Sequence, residues 1–198
     1  MYADVGSVGG ALGWAGTAVA ARDGMTQLNL WVEVDDEEHN RRAGAGAVSS
    51  LRALAALCSL PQGLPVREGS LTRGARNLMR RLPMGFVHND AGNLVRMVRS
   101  PARIFGVVAV GADWDRTAFA LGAYVTVCPR VAAVKSIDDR VLAEALVWGI
   151  GLTGDDGTIR LEPQPASIEL GPYQWWIAER AYSAWLAHDQ RRRAQASI

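Results

Sequence analysis

Hydrophobic and polar residues alternate most cleanly at Leu28–Val34. Leu28, Leu30, Val32 and Val34 fall on one side, and Asn29, Trp31 and Glu33 on the other. A period of two predicts a half-buried strand. The acidic run Asp35–Glu38 suits the positive N-terminal end of a helix. That helix is expected to continue to about Cys58, with Ala47, Leu51, Leu54 and Cys58 on one stripe and Gly44 and Gly46 weakening its first turns. Residues 70–82 predict a second helix. At 100° per residue Leu71, Ala75, Leu78 and Leu82 lie within about 60° of one another, with Arg73, Arg76 and Arg80 opposite them. Ser70 is placed to cap this helix and Pro83 to stop it.

The texture then changes. GFVH and LVRMV flank NDAGN, which reads as a five-residue hairpin loop. IFGVVAV (104–110) and TAFALGAYVTV (117–127) read as further strands, the second with Phe119, Leu121, Ala123, Val125 and Val127 on one face. Short links between them predict an antiparallel meander. Residues 137–152 are apolar nearly all round, which predicts a helix buried on every side. TIRLE (158–162) is a short strand, and 173–190 a closing helix rich in Trp and Tyr. The order of elements predicts an α+β fold, a mostly antiparallel sheet with helices packed on one face.

Regular patterning begins just after Met25. Before it the glycines at 6, 9, 10 and 13 lack the GxGxxG spacing of a dinucleotide loop. Asp4 and the lack of a leading basic residue argue against a secretory leader. The run is also shorter and richer in glycine than the ~20 apolar residues of a membrane span. Residues 1–24 are thus expected to be a poorly structured N-terminal extension, with Met25 as a natural start and 25–198 as a single α+β domain.

Composition changes this picture only locally. The 198 residues carry a net charge of +1, yet residues 67–103 hold eight arginines against two acids. Arg96, Arg99 and Arg103 extend the arginine face of 70–82. Arginine binds phosphate bidentately, so this block raises nucleic-acid binding as an alternative. Against it, nucleic-acid modules are usually basic overall. Arginine is also this chain's default cation, since Lys135 is its one lysine. Cys58 and Cys128 sit singly in apolar runs, where thiols pack as small hydrophobes in a reducing cytoplasm.

The residue types of catalysis are scattered. His39, His88 and His188 make no metal-ligand spacing, and Asp35 with His39 supplies only two ligands. No serine lies in a GxSxG elbow. Asp113 and Asp115 share a side if GADWD is extended, but Asp and Gly there are ordinary turn formers. In PYQWWIAERAYSAWLA (172–187) Trp175, Tyr182 and Leu186 fall together, while Trp176 points away from them near Arg180. An aromatic off the packing arc is suited to a contact role.

Several features in order resemble an immunity-protein family of bacterial polymorphic toxin systems. They are the Trp31-bearing first strand, the helix AVSSLRALAALC, the helix-opening GSLTRGA, the segment ending in AYVTVCP, and LAEALVWGIGLTGDDGTIRL. The resemblance covers about residues 25–162. It implies a small cytoplasmic protein that binds a cognate toxin domain and blocks it without catalysis. Immunity proteins against nucleases are typically acidic to match a basic toxin, and this chain is near neutral.

The sequence thus predicts a non-enzymatic protein-interaction module, an immunity protein by resemblance, with an Arg-rich nucleic-acid-binding protein as the alternative. Arg73, Arg76, Arg80, Trp176 and Arg180 are the expected partner contacts. No catalytic residue, metal site, cofactor or membrane association is expected.

Overall fold

The structure, a computed structural model, describes residues 5–42, 44–167 and 171–196. The chain runs through α1 (Val5–Ala11), β1 (Thr17–Asp23), β2 (Thr26–Val34), α2 (Asp36–Arg41) and α3 (Leu51–Cys58). Next come β3 (Pro65–Arg67), a 3-10 turn (Glu68–Ser70), α4 (Arg73–Met79), β4 (Val87–Asp90), β5 (Asn93–Arg96) and β6 (Ala102–Gly111). Then follow α5 (Trp114–Gly122), β7 (Arg130–Val134), α6 (Asp139–Trp148), β8 (Ile150–Thr153), β9 (Ile159–Leu161) and α7 (Pro172–Ala196). The fold is α+β, and most strand pairs are antiparallel. The described residues divide into two compact units in place of the one domain expected over 25–198. The first is drawn from residues 1–33, 104–169 and 184–198, and the second from 34–103 and 170–183.

The first unit is built on a six-stranded sheet in the order β1-β2-β6-β7-β8-β9. Its N-terminal part corrects the expectation of a loose extension. β1 pairs antiparallel with β2 from Thr17↔Val32 to Asp23↔Thr26, so Met25 sits at a hairpin tip beside Gly24, whose φ is 56°. Val8 of α1 is buried in one cluster with Trp31, Val108, Val110, Val131 and Ala133, and Trp14 meets Trp31 edge-on at 5.2 Å. Trp31 is consequently only 4 % exposed, not on an open face. Two glycines of this unit lie directly against tryptophan rings. A Cβ on Gly9 would overlap the Trp31 ring, and one on Gly106 the Trp14 ring. Residues 1–4 of the expected extension lie outside the described residues.

The middle of that sheet departs from the predicted meander. β6, β7 and β8 run parallel, joined through α5 and α6, which pack on β7 and β8. The alternation at 117–127 is therefore not a strand. Asp113 caps a helix there by accepting from the Arg116 N–H at 2.9 Å, and Trp114, Thr117, Ala118 and Leu121 are buried at the 3.6-residue period. Phe119 and Val125, expected to share a face with Leu121 and Val127, are exposed while those two are buried. The actual strand is RVAAV, buried at all five positions as a parallel strand covered on both faces should be.

In the second unit β3, β5 and β4 form a separate antiparallel sheet. The predicted β4–β5 hairpin turns through Ala91 and Gly92, whose φ values of 48° and 82° suit a tight two-residue turn. The single helix expected over 35–58 is two. Gly44 and Gly46 adopt φ of 82° and 76° in the break, and Asp35 and Ser50 each cap a new start. The helix expected over 70–82 is shorter and is capped by Thr72, not Ser70. Its stripe of Leu71, Ala75, Leu78 and Leu82 packs on Ala56, Leu60, Met79 and Leu94, as the spacing predicts.

Candidate functional site

Packing that stripe inward turns the arginines of α4 outward. Arg73 and Arg80 are exposed and Arg76 half-buried. Arg80 donates to Glu68 Oε1 at 2.8 Å. Elsewhere in the basic block, Arg99 holds both Asp35 oxygens at 2.8 and 3.0 Å and also Glu37 at 3.0 Å. Arg96 lies over the Trp175 ring at 5.4 Å and donates to the Leu57 carbonyl. Part of the positive charge is thus spent on the fold. Burial pushes the Asp35 carboxyl up, but the Glu38 N–H and Arg99 outweigh it and hold it below its ordinary value.

On α7 the structure brings Trp176 and Arg180 together, the guanidinium 5.0 Å from the ring centroid. The Trp176 indole N–H donates to the Ser49 carbonyl at 2.9 Å, so the ring is partly anchored. Trp175, Ala178 and Tyr182 are buried, as the helical arc predicts. Among the described residues no hydrogen bond, ion pair or ring contact joins this pair to Arg73, Arg76 or Arg80.

Behind them lies a charge cluster that sequence reasoning missed. Arg42, Glu38 and Glu179 are all buried. Arg42 donates to Glu38 at 2.9 Å, to both Glu179 oxygens at 2.8 Å and to the Arg99 carbonyl at 3.0 Å. Glu179 also accepts from the Val48 N–H at 2.8 Å and the Trp175 indole at 2.9 Å. His39 Nδ1 and the Tyr182 hydroxyl share a hydrogen bond of 2.7 Å, and Arg42 lies over the Phe86 and Tyr182 rings. Burial lowers the Arg42 pKa, but Glu179 and Glu38 outweigh it and raise it. Among the described residues the partners of Arg42 and Glu179 are groups of the chain itself. The cluster holds α2 against the first half of α7. Its one sequence signal is acid–base spacing at 38 and 42; Glu179 is too distant in the chain to be paired with them by pattern.

The reactive residue types are likewise structural. Asp113 is a helix cap, and Asp115 is held by Arg140 at 3.2 Å. Burial pushes both the Cys58 and Cys128 thiols up, away from the nucleophilic thiolate. Among the described residues no group of three or more His, Cys, Asp and Glu could hold a metal ion.

What stands out is an apolar surface in the first unit. Phe119 is 84 % exposed, Val147 81 %, Met25 91 % and Trp148 48 %. Phe119, Val125, Val147 and Trp148 line one groove of about 650 Å³, with Asp23 and Arg130 at its edge. Asp23 and Phe119 also line the adjoining recess beside Met25. Trp114 stacks on Trp148 at 6.2 Å and donates its indole N–H to Glu144 at 2.6 Å, while the Arg130 guanidinium donates to the Trp148 carbonyl.

This surface overturns the expectation that 137–152 is buried on every side. Only Val141 and Ala145 of α6 are buried; Leu142, Leu146 and Val147 face out. The all-round apolar pattern was the signal for this site. A helix apolar on both sides needs cover on both, and the chain supplies it on one. No family model, no curated protein and no solved structure matches the chain. Among the described residues no helix is long and apolar enough to cross a membrane.

Proposed function

We propose that this protein is a non-enzymatic protein-interaction module. The observation that carries the reading is the exposed α5–α6 face. Isolated exposed apolar residues are ordinary, but a contiguous patch of large ones marks a surface that another molecule covers. Its composition suits a protein: aromatic anchors, aliphatic surroundings and a few charges at the rim. The placement of Asp113, Asp115, Cys58 and Cys128 in caps, ion pairs and core supports a non-catalytic role. The immunity-protein resemblance adds a class of partner, a cognate toxin domain. The second unit offers Arg73, Arg76, Arg80 and the Trp176–Arg180 pair as further contact residues.

The test compares the wild-type chain with Phe119→Glu/Val147→Glu. Both side chains are exposed, so the variant should keep its far-UV spectrum and fold. Crosslinking in the native cell, identification of the captured protein and reconstitution from pure components should give a complex that the variant loses. A complex unaffected by the double substitution would remove the reading.

A further inference from the structure

The α5–α6 face carries two opposite charges that no ion pair takes up among the described residues. Asp23 and Arg116 both line the recess that holds Met25 and Phe119. Neither side chain makes an ion pair among the described residues, whereas neighbouring Asp115 is taken up by Arg140 at 3.2 Å. One acid and one base therefore share the recess with Met25 and Phe119.

We propose that this face is the interface between two copies of the chain, related by a two-fold axis that sets Asp23 of each copy against Arg116 of the other. The inference rests on reading the face as protein-binding and names its occupant. Three observations carry it. The first is charge. A two-fold contact is isologous, so a residue that meets its complement in one direction meets it again in the other. An unrelated protein would need an acid and a base placed to match; a second copy supplies them by symmetry.

The second is area. Large side chains carry roughly 150–250 Å² each, so the exposed parts of Met25, Phe119, Val125, Leu146, Val147 and Trp148 amount to on the order of 700 Å². That is above the largest patch of a typical monomer and close to the ~800 Å² that each partner gives to a standard interface. The third is α6 itself. Its open side carries Leu142, Leu146 and Val147 beside the exposed Asp139 and Arg140, three large apolar side chains that its own chain leaves uncovered. A symmetric contact covers them. A net charge of +1 sets no long-range repulsion between copies.

This assignment leaves the arginine-bearing α4 and the Trp176–Arg180 pair of the second unit for a different protein.

The experiment is sedimentation equilibrium on the full chain. Wild type should sediment at twice the 21.3 kDa chain mass. Phe119→Glu/Val147→Glu should sediment as a folded monomer. Asp23→Arg and Arg116→Asp should each weaken self-association about tenfold or more, because each sets like charges together, and the double reversal should recover most of that loss. The double reversal does not depend on the apolar substitutions being tolerated, since Arg116 is exposed and Asp23 half-buried. A wild type that stays monomeric at about 100 µM would overturn the inference. So would a dimer that survives Phe119→Glu/Val147→Glu, or single reversals that the double reversal fails to rescue. A monomeric wild type would leave the protein-binding reading to the crosslinking comparison, which does not depend on self-association.

Discussion

Arg42 and Glu179 are 137 residues apart in the chain and meet through two N–H···O contacts of 2.8 Å, Nη1 to Oε2 and Nη2 to Oε1. The forked geometry matches guanidinium to carboxylate along both edges, and both side chains are shut off from water. Glu38 completes the group on the other side of Arg42. A buried pair of this kind contributes less to stability than its short distances suggest, because desolvation offsets the attraction. What it fixes is where α2 and the first half of α7 must lie.

Removing the cation should therefore be costly in a way that a hydrophobic replacement does not repair. Arg42→Met keeps much of the stem but strands two carboxylates in a dry site. The expected loss is about 3–5 kcal/mol, read by urea unfolding at neutral pH. A loss below about 1 kcal/mol would show that water reaches the cluster.

The N-terminal segment gives a second prediction. A chain beginning at Met25 lacks β1, Val8 and Trp14, and so uncovers Trp31 and one edge of β2. Large core aromatics cost about 3–5 kcal/mol when their packing is removed. In a protein of this size about 1 kcal/mol moves the melting temperature by 2–4 °C. The shortened chain should melt at least ten degrees lower or fail to fold. A local check uses the backbone under Trp14. Gly106→Ala should cost about 1–3 kcal/mol by overpacking, and less when Trp14→Ala is already present. A melting temperature within a few degrees of full length would return the segment to the status of an appendage.

These two cases mark the limits of pattern. Pattern located β2 and α4 by their amphipathic spacing, the β4–β5 hairpin by its turn residues, β6 as an apolar run and α7 by its aromatic arc. It failed where burial is two-sided. RVAAV has no alternation since both its faces are covered, and α6 was read as buried all round although Leu142, Leu146 and Val147 sit in the open beside the Arg140–Glu144 pair. Residues 117–127 happen to alternate in sequence while the helical period decides what is buried. The arginine face of α4 was legible, since its leucines had to pack. The Arg42–Glu179 contact was not, for it spans two distant helices. The α5–α6 surface lay between these extremes: its apolar character was plain, but which side lacked cover needed the fold.

The last prediction concerns Arg73, Arg76 and Arg80. Replacing all three with Gln keeps helix propensity and much of the aliphatic stem. Stability should change by less than about 1 kcal/mol, because the one ion pair among them, Arg80 with Glu68, has its cation largely in water. The consequence for binding separates the two readings of the basic block. Nucleic-acid binding requires a complex whose affinity falls steeply with salt, with the log–log slope on B-DNA shallower by about 0.9 for each phosphate contact the variant loses. A protein contact requires instead that a partner leaves the variant faster, with no oligonucleotide bound by either form. The internal use of Arg96 and Arg99 leaves less charge for phosphate than the sequence count implies, so the second outcome is expected. A salt-sensitive, submicromolar complex between the wild-type chain and any oligonucleotide at physiological ionic strength would reverse that order and make nucleic acid the partner of this face.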